Sequence, residues 1–183
     1  MQKIAIITVS EAGQDIAAYI QQSANGRFIK RADVGHLWRD YEAFVFIGAL
    51  GVCVRTIAPY VKDKHEDPAV VCIDSLGKQV IAVLSGHVGG ANDLARQLAT
   101  LIGAQPVITT QSDNAGLWAL DTFEKHFGWH VACGTNAMND CIFAFVNRKP
   151  TALLLEVRDE GTDYLEQTMP QHVTLISDIA EAA

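Results

Sequence analysis

Residues 79–102 read QVIAVLSGHVGGANDLARQLATLI. The first six form a short apolar run rich in β-branched side chains, which predicts a strand. Apolar residues then recur at helical spacing from Leu94 to Ile102, which predicts a helix over 91–102 that ends at Gly103. The residues between them predict a glycine-rich turn that leads from the strand into the helix.

The segments on either side continue this alternation of strands and helices. A hairpin is predicted where the turn signal SLGK, residues 75–78, joins the apolar runs 69–74 and 79–84. Another helix is predicted from Leu50, and Pro59 should kink or restart it. Further strands are predicted at 3–9, 27–31, 43–48 and 106–110. This alternation favours an α/β fold, with a layered domain and a largely parallel sheet that contains one hairpin.

The composition becomes polar around residues 111–116, which marks a domain boundary. We expect an amino-terminal α/β domain of three layers over residues 1–113 and a smaller α/β unit over 117–183. In the smaller unit, helices are predicted at 117–127 and near 138–147, and strands at 151–157 and 173–177.

Composition and charge exclude several classes of protein. The 183 residues are 49% hydrophobic, which is too apolar for a mainly disordered chain. Fourteen basic against 21 acidic residues leave a net charge of −7, the opposite of what coating a nucleic acid requires. The longest apolar run, residues 43–54, is too short to cross a bilayer. Three cysteines, Cys53, Cys72 and Cys141, have apolar neighbours, which predicts buried, reduced thiols in a cytoplasmic protein.

The glycine-rich turn at residues 84–93 has two interpretations. Its N–H groups at a helix N-terminus favour a carboxylate, a phosphate or a developing oxyanion, and His87 can exchange a proton near neutral pH. Alternatively, the glycines serve only a tight turn with positive φ, and Ser85 or Asn92 caps the helix.

A second strand-to-helix turn, Gly48–Gly51, precedes Arg55 by one helical turn. Arg55 can hold a substrate carboxylate, or it can pair with an acidic residue or lie at the surface. Because such turns tend to converge at the carboxyl ends of parallel strands, we expect the site where residues 48–55 and 85–92 meet. The charged loop 62–67 and the hydroxyl-rich end of the strand at 109–113 are weaker candidates, typical of a solvated loop and a helix cap.

Cofactor motifs are missing from the sequence. There is no dinucleotide-binding G-x-G-x-x-G and no phosphate-binding G-x-x-x-x-G-K-[ST]. His126 and His130 are four residues apart but have no recognisable third ligand, so no metal site is predicted. The three tryptophans are scattered among different elements and are interpreted as packing residues.

Several segments in the same order carry a specific resemblance. These are FIGALGVCVRTIAPYVKDK at 46–64, DPAVV at 67–71, LSGHVGGANDLA at 84–95 and QPVITT at 105–110. They resemble the CbiG family, the cobalt-precorrin-5A hydrolases of anaerobic cobalamin biosynthesis. Residues 44–113 are similar to the amino-terminal domain of that family, and 117–183 to its linker or middle domain. Family members usually continue into a small carboxy-terminal domain, which we expect to be absent here.

The resemblance implies a hydrolase that opens the δ-lactone of a cobalt-containing tetrapyrrole. A two-carbon fragment then leaves as acetaldehyde and the macrocycle contracts. Cobalt arrives with this cobalt-precorrin substrate, so no cofactor and no protein-bound metal are expected. Other cobalamin-pathway enzymes or a separate carboxy-terminal domain are the partners left open, and neither nucleic acid nor a membrane is expected.

Roles within the site follow from chemistry once this reaction is assumed. His87 is the expected general acid or base, and the N–H groups near Gly89 and Gly90 are the expected oxyanion donors. The predicted substrate-binding residues, in which the cations would hold the acetate and propionate groups of the ring, are Gly48, Gly51, Arg55, Lys62, Ser85, Gly86, Gly89, Gly90, Asn92 and Thr110.

Two other functions remain open at this point. The chain can be a non-catalytic module that binds a tetrapyrrole or a partner and needs a separate domain for activity. It can also be a nucleotide-binding α/β protein of another kind, although no phosphate-loop motif supports that function.

Overall fold

The computed structural model describes residues 3–182. Its internal contacts divide the chain into two compact units, one up to Thr110 and one from Gln111 onward. Within the described residues, no helix has the length and apolar character that a bilayer crossing requires.

The first unit contains six strands and four α-helices, with short 3₁₀ turns before the first two helices. The strands are β1 Ile4–Thr8, β2 Arg27–Phe28, β3 Ala43–Ile47, β4 Ala69–Ile73, β5 Gln79–Leu84 and β6 Gln105–Val107. The helices are α1 Gln14–Ala24, α2 Val34–Leu37, α3 Leu50–Ile57 and α4 Ala91–Ile102.

The six strands form one sheet in the order β2-β1-β3-β4-β5-β6. Neighbouring strands are parallel at every position except β4–β5, which is the predicted hairpin. Strands β5 and β6 therefore run opposite to the other four. The expected α/β fold with a largely parallel sheet is confirmed.

Side chains alternate between two cores, one on each face of the sheet. In β3, Ala43, Val45 and Ile47 face the core beneath α1 and α4, and all are fully buried. Phe44 and Phe46 face the opposite core, which α2 and α3 cover. Burial on both faces explains why this strand reads as an unbroken apolar run, and it gives the unit three layers.

Differences from the expected elements occur at the exposed edges of the sheet. Strand β2 has two exposed residues instead of the five expected, and β6 ends at Val107 instead of Thr110. Helix α3 ends at Ile57, two residues before Pro59, so the proline follows the helix and does not kink it. Helix α2 is only four residues long and has no periodic pattern that would have predicted it.

The second unit is smaller and is built around a two-stranded parallel sheet. Its elements are α5 Gln111–Ala115, α6 Phe123–Phe127, α7 Thr135–Val146, β7 Thr151–Leu154, α8 Glu160–Gln167 and β8 Val173–Ile176. Its core contains Trp118, Phe145, Leu165 and Val173. The rings of Trp118 and Phe145 stack with centroids 5.6 Å apart, and the Trp118 N–H donates to the Thr168 hydroxyl at 2.9 Å. Trp118 is thus a packing residue, as expected.

Three expectations for the second unit need correction. The helix predicted over 117–127 begins only at Phe123, after a 3₁₀ turn at Leu120–Thr122. Helix α8 was not predicted; its start is fixed by reciprocal hydrogen bonds between Asp159 and Thr162. Cys141 is exposed on α7, not buried, because its apolar neighbours in sequence lie on other faces of the helix.

Asp74 closes the β4–β5 hairpin and makes its stability depend on pH. Its carboxylate accepts N–H bonds from Leu76, Lys78 and Gln79 at 2.6–2.9 Å. Desolvation opposes ionisation, but these bonds outweigh it and hold the pKa of Asp74 below its ordinary value of 3.8. A depressed pKa in the folded state means that the stabilisation exists at neutral pH and is lost as the pH falls below about 4.

We therefore expect Asp74→Asn to lower stability near neutral pH and to leave it almost unchanged at acidic pH. The loss should stay below about 1 kcal/mol, because Asp74 is only partly buried and solvent screens its interactions. Urea unfolding at neutral pH and near pH 3 would measure both values. Equal losses at the two pH values would contradict this account of the hairpin.

Candidate active site

The two glycine-rich turns lie at opposite edges of the sheet, so the prediction that they meet is wrong. Gly48 follows the carboxyl end of β3, where its N–H donates to the Ile73 carbonyl at the end of β4. Ser85 follows the carboxyl end of β5, where Leu84 pairs with Val70 at the start of β4. The three residue steps from Val70 to Ile73 separate these edges by about 10 Å. The hairpin causes the error, because it reverses β5 and sends its following turn to the other edge.

Gly48, Gly51 and Arg55 therefore lie at the opposite edge of the sheet from the 85–92 segment. The Arg55 guanidinium lies back over Gly51, since helical side chains point toward the helix N-terminus. This places its charge at the carboxyl edge of β3. Arg55 is exposed, and among residues 3–182 no carboxylate lies within ion-pair distance of it, so the surface interpretation is the one that fits.

The remaining predicted residues gather at the carboxyl ends of β5 and β6. They are Lys62, Ser85, Gly86, His87, Gly89, Gly90, Asn92 and Thr110. Strand β6 runs parallel to β5, so Thr110 and the 85–90 turn leave the sheet at the same edge. The loop after α3 returns Lys62 to this edge as well, because it leads directly into the start of β4.

The 85–90 turn is held in one conformation by its own backbone. Ser85 adopts a left-handed φ of 55°, which is uncommon for a residue with a side chain. The N–H groups of Ala91 and Asn92 donate to the carbonyls of Ser85 and Gly86 at 3.1 and 3.0 Å. The first N–H groups of α4 are thus satisfied by the turn and not by a side-chain cap.

These bonds change the expected roles of two residues. The Gly90 N–H donates to the His87 carbonyl at 3.0 Å, so it does not suit the oxyanion role expected of it. Gly90 instead provides the left-handed N-cap of α4, with φ of 84°. Asn92 is not a cap either: its side chain is buried and donates to the Thr110 hydroxyl at 2.9 Å. That bond ties the start of α4 to the end of β6.

Asp67 anchors the turn to the rest of the unit, and the sequence analysis did not single it out. Its carboxylate accepts hydrogen bonds from the Trp38 ring N–H at 3.2 Å and from the backbone N–H of Lys62 at 2.7 Å. Its carbonyl accepts the Ser85 hydroxyl at 2.9 Å. Residues 62–66 are exposed, as expected of a solvated loop, but Asp67 is buried. The one sequence feature that indicates the burial of Asp67 is its position just before a predicted buried strand.

The thiols offer no nucleophile at this edge. Cys53 and Cys72 are buried in the core beneath α3; a hydrogen bond to Cys72, together with burial, raises the pKa of Cys53 far above its ordinary value. Cys72 donates its S–H to the Gly48 carbonyl at 3.5 Å, which requires the protonated form. Within the described part of the chain, no cluster of three or more His, Cys, Asp or Glu residues could hold a metal ion.

The arrangement is suited to acid–base chemistry on a carbonyl compound. His87 is half-buried in the middle of a turn that has glycines at positions 86, 89 and 90. A Cβ on Gly89 would lie 2.5 Å from the Ser85 Cβ and one on Gly86 would lie 2.8 Å from the Asn92 amide oxygen. The backbone on both sides of His87 is therefore closely packed against Ser85 and Asn92, which fixes the position of the His87 backbone.

Gly51→Ala tests the exclusion of the carboxyl edge of β3 from the site. A Cβ on Gly51 would lie 3.5 Å from the Arg55 guanidinium, an ordinary contact, and the position is exposed in α3. We expect about 0.5–1 kcal/mol of stabilisation, because alanine favours a helix over glycine. Thermal unfolding and activity assays should show a raised Tm and unchanged kcat/KM. A loss of activity in a stably folded variant would return Gly51 to the site.

Comparison with known proteins matches both units to one family. A sequence model described as Cobalamin synthesis G N-terminal matches residues 33–113, and one described as Cobalamin biosynthesis central region matches 118–182. The cobalt-precorrin-5A hydrolase of Priestia megaterium is 40% identical over 146 residues, which cover 80% of this chain and 39% of that protein. The enzyme of the same name from Salmonella typhimurium is 58% identical over 82 residues, or 45% of this chain and 23% of that protein.

A solved structure shares the fold. The crystal structure of a cobalamin biosynthesis protein G homolog from Sulfolobus solfataricus aligns with a TM-score of 0.58 at 25% identity, covering 94% of this chain and 52% of that one. The chain spans less than half the length of the two curated relatives above. The two matched ranges together account for most of its residues, in the order that the sequence motifs indicated. The chain therefore belongs to the CbiG family, whose N-terminal and central regions it contains.

Proposed function

We propose that this chain takes part in cobalamin biosynthesis as a cobalt-precorrin-5A hydrolase, with its catalytic group in the 85–90 turn. The observation that carries the proposal is the position of His87. It lies at the carboxyl ends of β5 and β6 in a turn that Asp67 anchors through Ser85. The names of the curated relatives supply the reaction class.

The proposed reaction is hydrolysis of the δ-lactone of a cobalt-containing tetrapyrrole. His87 acts as general base and takes a proton from water, and the hydroxide adds to the lactone carbonyl carbon. The C–O bond of the lactone then breaks, leaving a carboxylic acid and an alkoxide that takes the proton back from His87. The hydroxyl of the two-carbon unit then loses its proton, the C–C bond that joins this unit to the macrocycle breaks, and acetaldehyde leaves while the macrocycle takes up the electrons of that bond and a proton.

Other residues of the same edge would support this step. The Gly89 N–H is the remaining candidate donor for the oxyanion, since the Gly90 N–H bonds to the His87 carbonyl. Asn92 and Thr110 hold the start of α4 against the end of β6 and so position the turn. Cobalt belongs to the substrate, and we propose no resident metal or cofactor. The buried thiols Cys53 and Cys72 favour a reducing compartment, so we propose the cytoplasm as the location.

A release assay tests the proposal. Cobalt-precorrin-5A is incubated with the chain, and acetaldehyde is followed through NADH oxidation by a coupled alcohol dehydrogenase. We expect the rate of NADH oxidation to rise in proportion to the concentration of the chain. This should hold either for the chain alone or after addition of the carboxy-terminal region of a full-length relative. No acetaldehyde in either arm would reject catalysis by this chain.

The second candidate function is that of a binding module. It is favoured because the chain spans less than half the length of the two curated relatives. The matches cover 39% and 23% of the lengths of the two enzymes. Further groups needed for turnover can therefore lie in other regions of those proteins. On this alternative the chain binds a cobalt corrinoid without releasing acetaldehyde, and activity appears only when the carboxy-terminal region is added. Calorimetric titration beside the release assay separates the two functions.

A further inference from the structure

A cleft of about 270 Å³ opens on the first unit between α2 and the loop after α3. We call it the basic cleft and define it by Gly35, His36, Trp38, Arg39, Tyr60 and Lys62. Only Lys62 among these was a candidate in the sequence analysis. Gly35, His36, Trp38 and Arg39 come from the four-residue α2 and its continuation, whereas Tyr60 precedes Lys62 in the loop after α3.

The rim of the cleft carries two cations, Arg39 and Lys62, and none of the described lining residues is acidic. Two carboxylates adjoin it, because Glu66 pairs with Arg39 and Asp67 bonds to the Trp38 ring and the Lys62 N–H. Arg39 is paired with Glu66 at 2.9 Å, but both side chains are more than half exposed, so the pair is weak and exchangeable. No ion pair of Lys62 or His36 is found within residues 3–182.

The walls of the cleft are rigid aromatic rings. Trp38 is buried, stacks on Phe44 with centroids 5.1 Å apart and lies 6.1 Å from Tyr60. Gly35 packs against the Tyr60 ring so closely that an added Cβ would lie 2.5 Å from the Tyr60 hydroxyl oxygen. The cleft is therefore preformed, with apolar surfaces behind its charged rim.

The cleft and the 85–90 turn share one anchoring residue. The Asp67 carboxylate accepts hydrogen bonds from the Trp38 ring and the Lys62 backbone, both in the cleft wall. The carbonyl of the same Asp67 accepts the Ser85 hydroxyl. Asp67 therefore links the wall of the cleft to the turn that carries His87.

We propose that the basic cleft binds a carboxylate-ended arm at the periphery of the tetrapyrrole while the lactone lies at the 85–90 turn. Guanidinium and ammonium groups at the rim bind the carboxylate, and the aromatic walls contact its methylene groups. A volume of about 270 Å³ is below the usual range for a whole small-molecule ligand, which suits an arm and not the macrocycle. The inference rests on the proposed substrate, but it concerns binding and is independent of the catalytic role of His87.

The test is a titration with two stable cobalt corrinoids, one with free peripheral carboxylates and one with all of them amidated. Tryptophan fluorescence or calorimetry reports binding to the full chain. We expect Arg39→Gln and Lys62→Gln each to weaken binding of the free-acid corrinoid by about three- to tenfold, and the double variant by at least about tenfold. Binding of the amidated corrinoid should be weaker from the start and insensitive to these changes. Arg27→Gln removes the same charge from exposed strand β2 and serves as the control.

The outcomes separate this inference from the proposed function. If the wild-type chain binds the free-acid corrinoid and the double variant binds equally well, the cleft assignment is overturned while catalysis at His87 still stands. If His87→Ala binds normally but releases no acetaldehyde, and the double variant binds poorly, both hold.

If inorganic phosphate displaces the corrinoid at sub-millimolar concentration, the cleft is a general oxyanion site and the assignment fails. If the wild-type chain binds neither corrinoid, the cleft assignment and the proposed substrate are both overturned.

Discussion

His87→Ala is expected to lower the rate of lactone opening by about 10²–10⁴-fold, the usual cost of losing a positioned acid or base. Substrate binding should change little, because the Ser85 hydroxyl, the Asp67 carbonyl and backbone groups that anchor the turn are retained in the variant. The loss should therefore appear in kcat and not in KM. Steady-state acetaldehyde release, in whichever arm of the assay is active, measures both parameters.

His130→Ala is the matched control for this substitution. His130 is exposed in the second unit, where its only charged neighbour among residues 3–182 is Glu124 at 3.7 Å. The same change of side chain at that position should leave kcat/KM within about twofold of wild type, as surface changes usually do. Near-normal turnover by His87→Ala would remove general acid–base catalysis from this residue.

Gly89→Ala is expected to disrupt the turn itself. An added Cβ would lie 2.5 Å from the Ser85 Cβ, 2.9 Å from the Ser85 carbonyl oxygen and 3.3 Å from the Ala69 N. Two of these neighbours are backbone atoms, which cannot move aside as a flexible side chain does. Overpacking of this kind costs about 1–3 kcal/mol, and a shift of the turn by about 1 Å can cost about 10²-fold in rate.

The comparison with Gly51→Ala makes this second prediction specific. Both variants add one methyl group to a glycine beside a helix, but the Gly51 position has room for it and lies at the opposite edge of the sheet. Gly89→Ala should lower Tm and activity, whereas Gly51→Ala should raise Tm and leave activity unchanged. Equal behaviour of the two variants would contradict the placement of the site.

Most of the fold of the first unit can be predicted from its sequence, because burial on both faces leaves a direct trace. Strands β1, β3 and β4 read as unbroken apolar runs, and α4 shows apolar residues at helical spacing. Elements stabilised mainly by local hydrogen bonds show no comparably clear pattern of apolar residues in the sequence. Helix α8, which begins at the Asp159–Thr162 pair, and the four-residue α2 were both missed for this reason.

The arrangement of the site was only partly predictable. The sequence predicted the SLGK hairpin, and a hairpin alone requires that the turns after β3 and β5 lie at opposite edges. If every strand of the sheet were parallel, both turns would instead lie at the same edge, as the prediction assumes. Asp67 and Arg39 could not be assigned from sequence, because their roles depend on partners 18 to 29 residues away, such as Ser85, Trp38 and Glu66.

The central claim is that the substrate binds at the carboxyl ends of β5 and β6 and not at the carboxyl end of β3. Amide hydrogen exchange of the full chain, with and without a saturating free-acid cobalt corrinoid, tests it most directly. The account predicts slower exchange in residues 84–93 and 59–67, with no change in 48–55. Protection confined to 48–55, with 84–93 unaffected, would contradict it.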